Sequence, residues 1–164
     1  MTSKMSTQEF EQFYERYKNI LYRIAFTYLK NNADVEDILQ EAFMKRLYHA
    51  PKFESEEHEK QWMIRITVNL CKNKVKSFWK RNVGSIEDML DSLEVQQWEL
   101  NFAEKEVLRE VMGLPEKQRI VIYLHYFEGY SCKEIANILK KTESAAKMRL
   151  KKGREQLKVA LQKA

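Results

Sequence analysis

The apolar residues of this 164-residue chain recur at intervals of three and four positions, the period of helices packed along one face. Phe10, Phe13, Tyr14, Tyr17, Ile20, Leu21, Ile24 and Tyr28 follow that rhythm behind Ser6-Thr7-Gln8-Glu9. Those four residues form a capping-box start, in which a hydroxyl and a carboxylate satisfy the first free N–H groups. The pattern predicts a helix of about twenty residues ending at Lys30-Asn31-Asn32. Asp34 is suited to cap a second helix, with Asp37 in its first turn, where a negative charge is favourable. Val35, Ile38, Leu39, Ala42, Phe43 and Leu47 carry that helix to Ala50-Pro51, where the chain must leave it. Residues 54–59 (ESEEHE) are too polar for a core and read as a loop or a frayed helix start. Trp62, Ile64, Ile66, Val68 and Leu70 alternate as a strand would. Trp62, Ile66, Asn69 and Leu70 also fit a helical stripe, however, and there is no second strand to pair with. The segment reads as a third helix, closed by Phe78-Trp79.

From Asn82 the periodicity weakens. Residues 82–101, with Gly84-Ser85 near their start, read as a linker between two small helical domains, 1–81 and 102–164. A helix is expected from Phe102 to Met112, with Gly113 suited to end it. Pro115 is favourable in the first turn of the next, which holds Ile120, Val121, Leu124 and Phe127 and ends at Gly129. Ser131-Cys132-Lys133-Glu134 is a second capping box, opening a short helix with Ile135, Ala136 and Leu139 inward. After a tight turn at Lys140-Lys141, Thr142 caps a last helix with Ala146, Leu150, Leu157 and Leu161 on one face. Opposite them run Lys147, Lys151, Arg154 and Lys158, at i, i+4, i+7 and i+11. Two helices with a brief turn, the second bearing a basic stripe, are the helix-turn-helix pattern, and the small Ala136 lets them approach closely. The fold class is all-α.

Composition agrees with a folded helical chain. Apolar residues make up 44% and charged residues 32%, with four Gly and two Pro. The longest apolar runs are too short to span a membrane, and Met1 to Met5 lacks the apolar stretch of a signal peptide, so a cytoplasmic protein with no membrane insertion is expected. Cys71 and Cys132 stand 61 positions apart with no paired-cysteine motif, which points to reduced thiols and against a disulfide or zinc site. His49, His58 and His125 form no metal cluster. With no phosphate-cradling glycine loop and no nucleophile beside a base, neither a cofactor nor covalent chemistry is expected. The net charge of +5 is unevenly spread. Residues 72–81 carry five bases and no acid, and residues 133–164 carry ten bases against three acids. Between them residues 82–101 carry five acids and no base. Two basic segments flanking an acidic connector point to a polyanionic partner.

Two blocks also resemble a known family. LPEKQRIVIYLHYFEGYSCKEIANILKKTESAAKMRLKKGREQLK (114–158) resembles the promoter −35-binding domain of bacterial sigma factors of the compact extracytoplasmic-function (ECF) group. The likeness lies in the Leu-Pro start, Arg119, the Glu-Gly-Tyr-Ser turn, Glu134-Ile135-Ala136 and the ending through Arg149, Arg154 and Leu157. Where that group often opens its recognition helix with Gly-Thr-Val, this chain has Ser144-Ala145-Ala146, a departure that touches the backbone there and leaves the basic face intact. Alone, this block leaves open a free-standing regulator binding operator DNA as a dimer, or an adaptor whose helices bind another protein. The N-terminal block decides between them. DVEDILQEAFMKRLYH (34–49), Phe53 with Trp62, and IRITVNLCKN (64–73) resemble the −10-binding domain of the same family, over residues 10–81 and in the same order and spacing.

The resemblance implies an initiation factor that binds core RNA polymerase, recognises −10 and −35 elements and helps to open the DNA. Asp37, Gln40 and Glu41, spaced i, i+3 and i+4, would dock on the β′ clamp coiled coil, and the β flap is a second expected contact. Asn69 would help to line a pocket for a flipped base, and the loop before Trp62 would shape base preference. Glu54, Glu56, Glu57 and Glu59 make that loop repel phosphates, so His58, Lys60 and Gln61 are its expected polar contacts. Lys72, Lys74, Lys76, Lys80 and Arg81 suit the DNA backbone upstream. Trp62 reads as a core anchor or a stacking platform, and Phe78 and Trp79 as packed on the domain or on a base. Lys147, Met148, Lys151 and Lys152 would enter the major groove, with Arg149 and Arg154 on phosphates or in a structural role. The acidic linker would thread toward the polymerase active-site cleft and RNA exit path. A membrane-anchored anti-sigma factor is the expected regulator.

Overall fold

The computed structural model describes residues 5–29, 31–78 and 101–163, with side chains in the third helix described as far as Val75. The side chains of Lys76 and Phe78, together with Trp79, Lys80, Arg81 and the acidic segment 82–100, lie outside the described residues. Contacts divide the chain into an N-terminal and a C-terminal unit. Every described element is an α-helix or a connection between helices.

The N-terminal unit contains α1 (Thr7–Leu29), α2 (Asn32–His49) and α3 (Glu56–Phe78), each packed against the other two. Ser6 caps α1 as its sequence predicts, its hydroxyl accepting the Glu9 N–H at 3.1 Å. Asn31, not Asp34, caps α2: its side-chain oxygen accepts the Asp34 N–H at 2.9 Å. Two good capping residues stand three apart here. Taking the earlier one leaves Asp34 in the first turn, where its charge still faces the positive end of the helix. The core is formed by Leu21, Ile24, Phe26, Val35, Ile38, Met63, Ile64 and Cys71. Phe43 is ringed by Phe10, Phe13 and Tyr14 at centroid distances of 6.2, 5.5 and 4.9 Å. The two buried threonines return their hydroxyls to the helix backbone, Thr27 to the Ile24 carbonyl at 2.7 Å and Thr67 to the Met63 carbonyl at 2.8 Å.

The polar segment 54–59 is mostly the first turn of α3. Ser55 accepts the His58 N–H at 3.0 Å, and Nδ1 of His58 accepts the Glu54 N–H at 3.1 Å, so the two side chains tie the entering chain to the first turn of α3. Glu59 belongs to the interior and is only 9% exposed.

The C-terminal unit contains α4 (Phe102–Met112), α5 (Glu116–Tyr126), α6 (Cys132–Leu139) and α7 (Glu143–Gln162). α7 packs against the other three. Asn101 and Glu104 form a complete capping box on α4, which makes Asn101 part of this unit's first helix cap. Pro115 stands at the N-cap of α5, one residue before its first turn, and its carbonyl accepts the Arg119 N–H at 2.8 Å. The Arg119 guanidinium donates to the Leu114 carbonyl at 3.1 and 3.0 Å and closes the α4–α5 corner. Gly129 has φ +80, which lets the Tyr130 N–H return to the Leu124 carbonyl at 3.0 Å. The Ser131–Glu134 box is complete on α6, and Thr142 caps α7 by accepting the Ala145 N–H. Between these helices Lys140 adopts the left-handed conformation, φ 55 and ψ 50, with the following N–H bonded to the Ala136 carbonyl at 2.9 Å. Ala146, Leu150 and Gly153 are the buried face of α7, while Leu157 is half-buried and Leu161 is 37% exposed.

Candidate nucleic-acid interface

On α7 the basic stripe faces solvent. Lys147, Lys151, Lys152, Arg154 and Lys158 are exposed, Met148 is 73% exposed among them, and Arg149 is half-buried. Lys147 pairs with Glu143 one turn earlier at 3.4 Å, a contact between exposed groups that a phosphate can replace at little cost. Arg154 is held differently. Its guanidinium lies 5.6 Å from the Tyr126 ring centroid, and its Nε donates to the Tyr126 hydroxyl. Tyr126, itself 53% exposed at the end of α5, is a residue the sequence reading did not single out; it stands 28 positions from its partner.

On α3, His58, Gln61, Asn69 and Lys72 fall at i, i+3, i+11 and i+14, one continuous stripe of the helix. Arg65, at i+7, completes the stripe and was not anticipated. Asn69 is exposed. Gln61 donates to Glu57 at 3.2 Å, and His58 presents its ring while Nδ1 is taken by the cap bond. Lys60 stands off this stripe and is half-buried, so the fold does not bring it together with the others. Trp62 is half-buried, edge-on to Phe53 with centroids 5.5 Å apart.

Asp37, Gln40 and Glu41 share an exposed face of α2, which continues through Met44 and Tyr48, 52% and 60% exposed. Two large apolar side chains in line with acidic and amide groups extend the expected docking surface. Lys74, grouped by its sequence with the DNA-facing bases, instead reaches back to α2. Its Nζ lies 3.4 Å from Asp37 and 3.8 Å from Asp34, which places it on the acidic face.

Behind the α3 stripe lies a buried polar cluster. Arg46 donates from Nε and Nη2 to one oxygen of Glu59 at 3.0 and 2.8 Å, and the Tyr17 hydroxyl donates to the other at 3.1 Å. Burial first, and then the Glu59 charge, push the Tyr17 phenol up to about 12. Among the described residues no group of histidines, cysteines and carboxylates could hold a metal ion, and no helix is long and apolar enough to cross a membrane. Cys71 and Cys132 are not joined in a disulfide.

Comparison with known proteins matches both units. The Sigma-70 region 2 family profile covers residues 13–81, and the Sigma-70, region 4 profile covers residues 104–157. RNA polymerase sigma factor SigZ of Bacillus subtilis is 34% identical over 136 residues, 78% of this chain and 73% of that protein. The ECF RNA polymerase sigma factor SigW of the same species is 27% identical over 168 residues, covering 93% of this chain and 88% of SigW. The ECF RNA polymerase sigma-E factor of Escherichia coli is 28% identical over 156 residues, covering 85% of this chain and 80% of that protein. The solved structure of CnrH in complex with the cytosolic domain of CnrY shares the fold, with a TM-score of 0.68 over 96% of this chain and 90% of that chain at 22% identity. With both sigma-70 regions present in order and relatives matched along most of its length, the chain belongs to the sigma-70 family, as an RNA polymerase sigma factor of the ECF type that serves promoter-directed transcription initiation.

Proposed function

We propose that residues 1–81 bind core polymerase and the −10 element, that residues 102–164 bind the −35 element, and that residues 82–101 connect them as an acidic linker. The observation that carries this reading is the pair of stripes, Lys147 to Lys158 exposed on α7, and His58 to Lys72 on α3, where His58 and Asn69 are exposed and Gln61, Arg65 and Lys72 half-buried. Lys147, Met148, Lys151 and Lys152 enter the major groove, and Arg149 and Arg154 serve phosphates. The contact of Arg154 with the Tyr126 ring supports this role for it. Asn69 helps to hold a flipped base, with His58 and Gln61 beside it and Lys72, Lys76 and Lys80 following the strand upstream. Lys60 contributes charge near this site from off the stripe. Asp37, Gln40 and Glu41 dock on the β′ clamp, with Met44 and Tyr48 as apolar anchors, and the C-terminal unit meets the β flap.

The protein performs no covalent chemistry of its own, acts in the cytoplasm, and answers to an anti-sigma factor. Support for that last partner is the CnrH fold, seen with the cytosolic domain of another protein. The acidic linker runs toward the polymerase active-site cleft, where its carboxylates mimic nucleic acid; deleting residues 86–96 without effect on initiation would remove that role. The whole reading is tested by mixing the chain with core polymerase and assaying promoter-specific transcription. Tight site-specific binding by the chain alone, with no transcription, would favour a free-standing regulator instead.

A further inference from the structure

Arg46 occupies the last turn of α2, just before the connection into α3. Its guanidinium carbon lies 5.1 Å from the ring centroid of Phe13 on α1 and 5.1 Å from that of Phe53 in the connection. With Glu59 taking two of its N–H groups, Arg46 ties three helices and the connection to one point. The two side chains are 15% and 12% exposed. Phe53 passes this restraint on, meeting His58 edge-on at 5.3 Å and Trp62 at 5.5 Å.

A buried ion pair is a poor way to stabilise a core, because desolvation cancels much of the attraction and well-packed apolar groups serve as well or better. What such a pair supplies is direction. A planar guanidinium with several fixed donors sets the angle of a ring and of a carboxylate together, whereas an ammonium acts as a single compact charge. Here the fixed element is the segment from Phe53 to His58, whose outer face meets the start of the α3 stripe.

We propose that Arg46, anchored by Glu59 and Tyr17, is a positioning residue for promoter opening: through Phe53 it fixes residues 53–58 at the angle that holds an unstacked promoter base beside the α3 stripe. This rests on the −10 assignment made above. Arg46 touches no DNA; it acts through Phe53 and His58.

The test uses holoenzyme assembled from core polymerase and the full chain. Arg46→Lys keeps the charge and loses the planar fork. A triple variant, Arg46→Met with Glu59→Leu and Tyr17→Phe, replaces the whole cluster by apolar groups and keeps the test available should the lysine variant fail to fold. Both are measured for thermal unfolding, for core polymerase affinity, for permanganate-detected opening of a duplex promoter, and for discrimination among the four bases at the flipped position. We expect stability and polymerase affinity close to wild type in the triple variant. Opening of duplex DNA should fall on the order of tenfold, as expected when a site loses its alignment. Base discrimination should flatten, and a template already unpaired at the −10 element should recover most of the lost opening. Wild-type discrimination and opening in a folded variant would overturn the proposal. His58→Ala, Gln61→Ala and Asn69→Ala separate the two levels of inference. If these also leave discrimination unchanged, the −10 assignment itself is wrong; if they flatten it while the Arg46 variants do not, only the positioning role falls.

Discussion

Gly153 on α7 and Ile122 on α5 meet so closely that a Cβ on the glycine would lie 2.6 Å from Cγ1 of Ile122 and 3.0 Å from its Cδ1. The basic helix is therefore seated on α5 through a position that admits no side chain. Both residues are buried, and Gln118 closes the same spot with its Cβ 3.4 Å from the added atom. A glycine in mid-helix costs about 1 kcal/mol relative to alanine, so close packing outweighs helix propensity here.

Gly153→Ala should destabilise the C-terminal unit. Overpacking a filled core costs about 1–3 kcal/mol, against which the propensity gain recovers about 1 kcal/mol. The expected net loss is about 1 kcal/mol, read as a lower urea midpoint of the C-terminal transition. Unchanged or higher stability would mean that Ile122 swings aside.

Lys151→Ala should weaken binding to −35 duplex and reduce its salt dependence by about one phosphate equivalent if the lysine meets the backbone. Comparison with a scrambled duplex decides its role. A loss confined to the promoter sequence marks a base contact, and an equal loss on both marks a phosphate contact.

Lys72→Ala should weaken promoter binding while Lys74→Ala leaves it unaltered, because Lys74 is engaged by Asp34 and Asp37 on α2. Removing that partly exposed bridge should cost less than about 1 kcal/mol of stability. Equal DNA-binding losses in filter binding with holoenzyme would show that Lys74 leaves α2 when DNA arrives.

Tyr17 should give the N-terminal unit an alkaline limit. Its phenol titrates near 10.0 when unfolded and at about 12 when folded. Folding thus favours the protonated form, so this contribution is fully present below pH 10 and is lost as pH rises through about 12. Tyr17→Phe should flatten the decline of stability over that window. At neutral pH it should cost roughly 1.5 kcal/mol for the lost bond to a carboxylate. Identical alkaline unfolding curves for the two proteins would refute the assignment.

Much of the fold was legible because the apolar spacing of each helix is a local property. The caps at Ser6, Ser131 and Thr142 were legible for the same reason, since each needs only residues within one turn. What escaped is long-range. Glu59 looks like one more loop acid until Arg46 and Tyr17, 13 and 42 positions away, are brought to it. Lys74 looks like part of a basic run until Asp37, 37 positions away, claims it. Gly153 sits in a lysine-rich stretch that reads as surface, and only its contact with α5 explains it. The basic face on α7 was easiest to read, since it needs no partner to be seen, and Arg65 falls on the α3 stripe by spacing alone, whereas Tyr126 stands out only once Arg154, 28 positions away, is brought to it.

The left-handed Lys140 at the corner between α6 and α7 carries a further consequence. That conformation costs a residue with a side chain roughly 1–2 kcal/mol, and a glycine would remove the cost. Lysine at this corner keeps an exposed cation beside the start of the basic helix, and charge of that kind raises the rate of encounter with a polyanion. Lys140→Gly should therefore raise the melting temperature while slowing association at low salt, with little change in dissociation, and stopped-flow binding at two ionic strengths would separate those rates. That outcome would make the corner a determinant of how quickly the protein arrives more than of how tightly it stays.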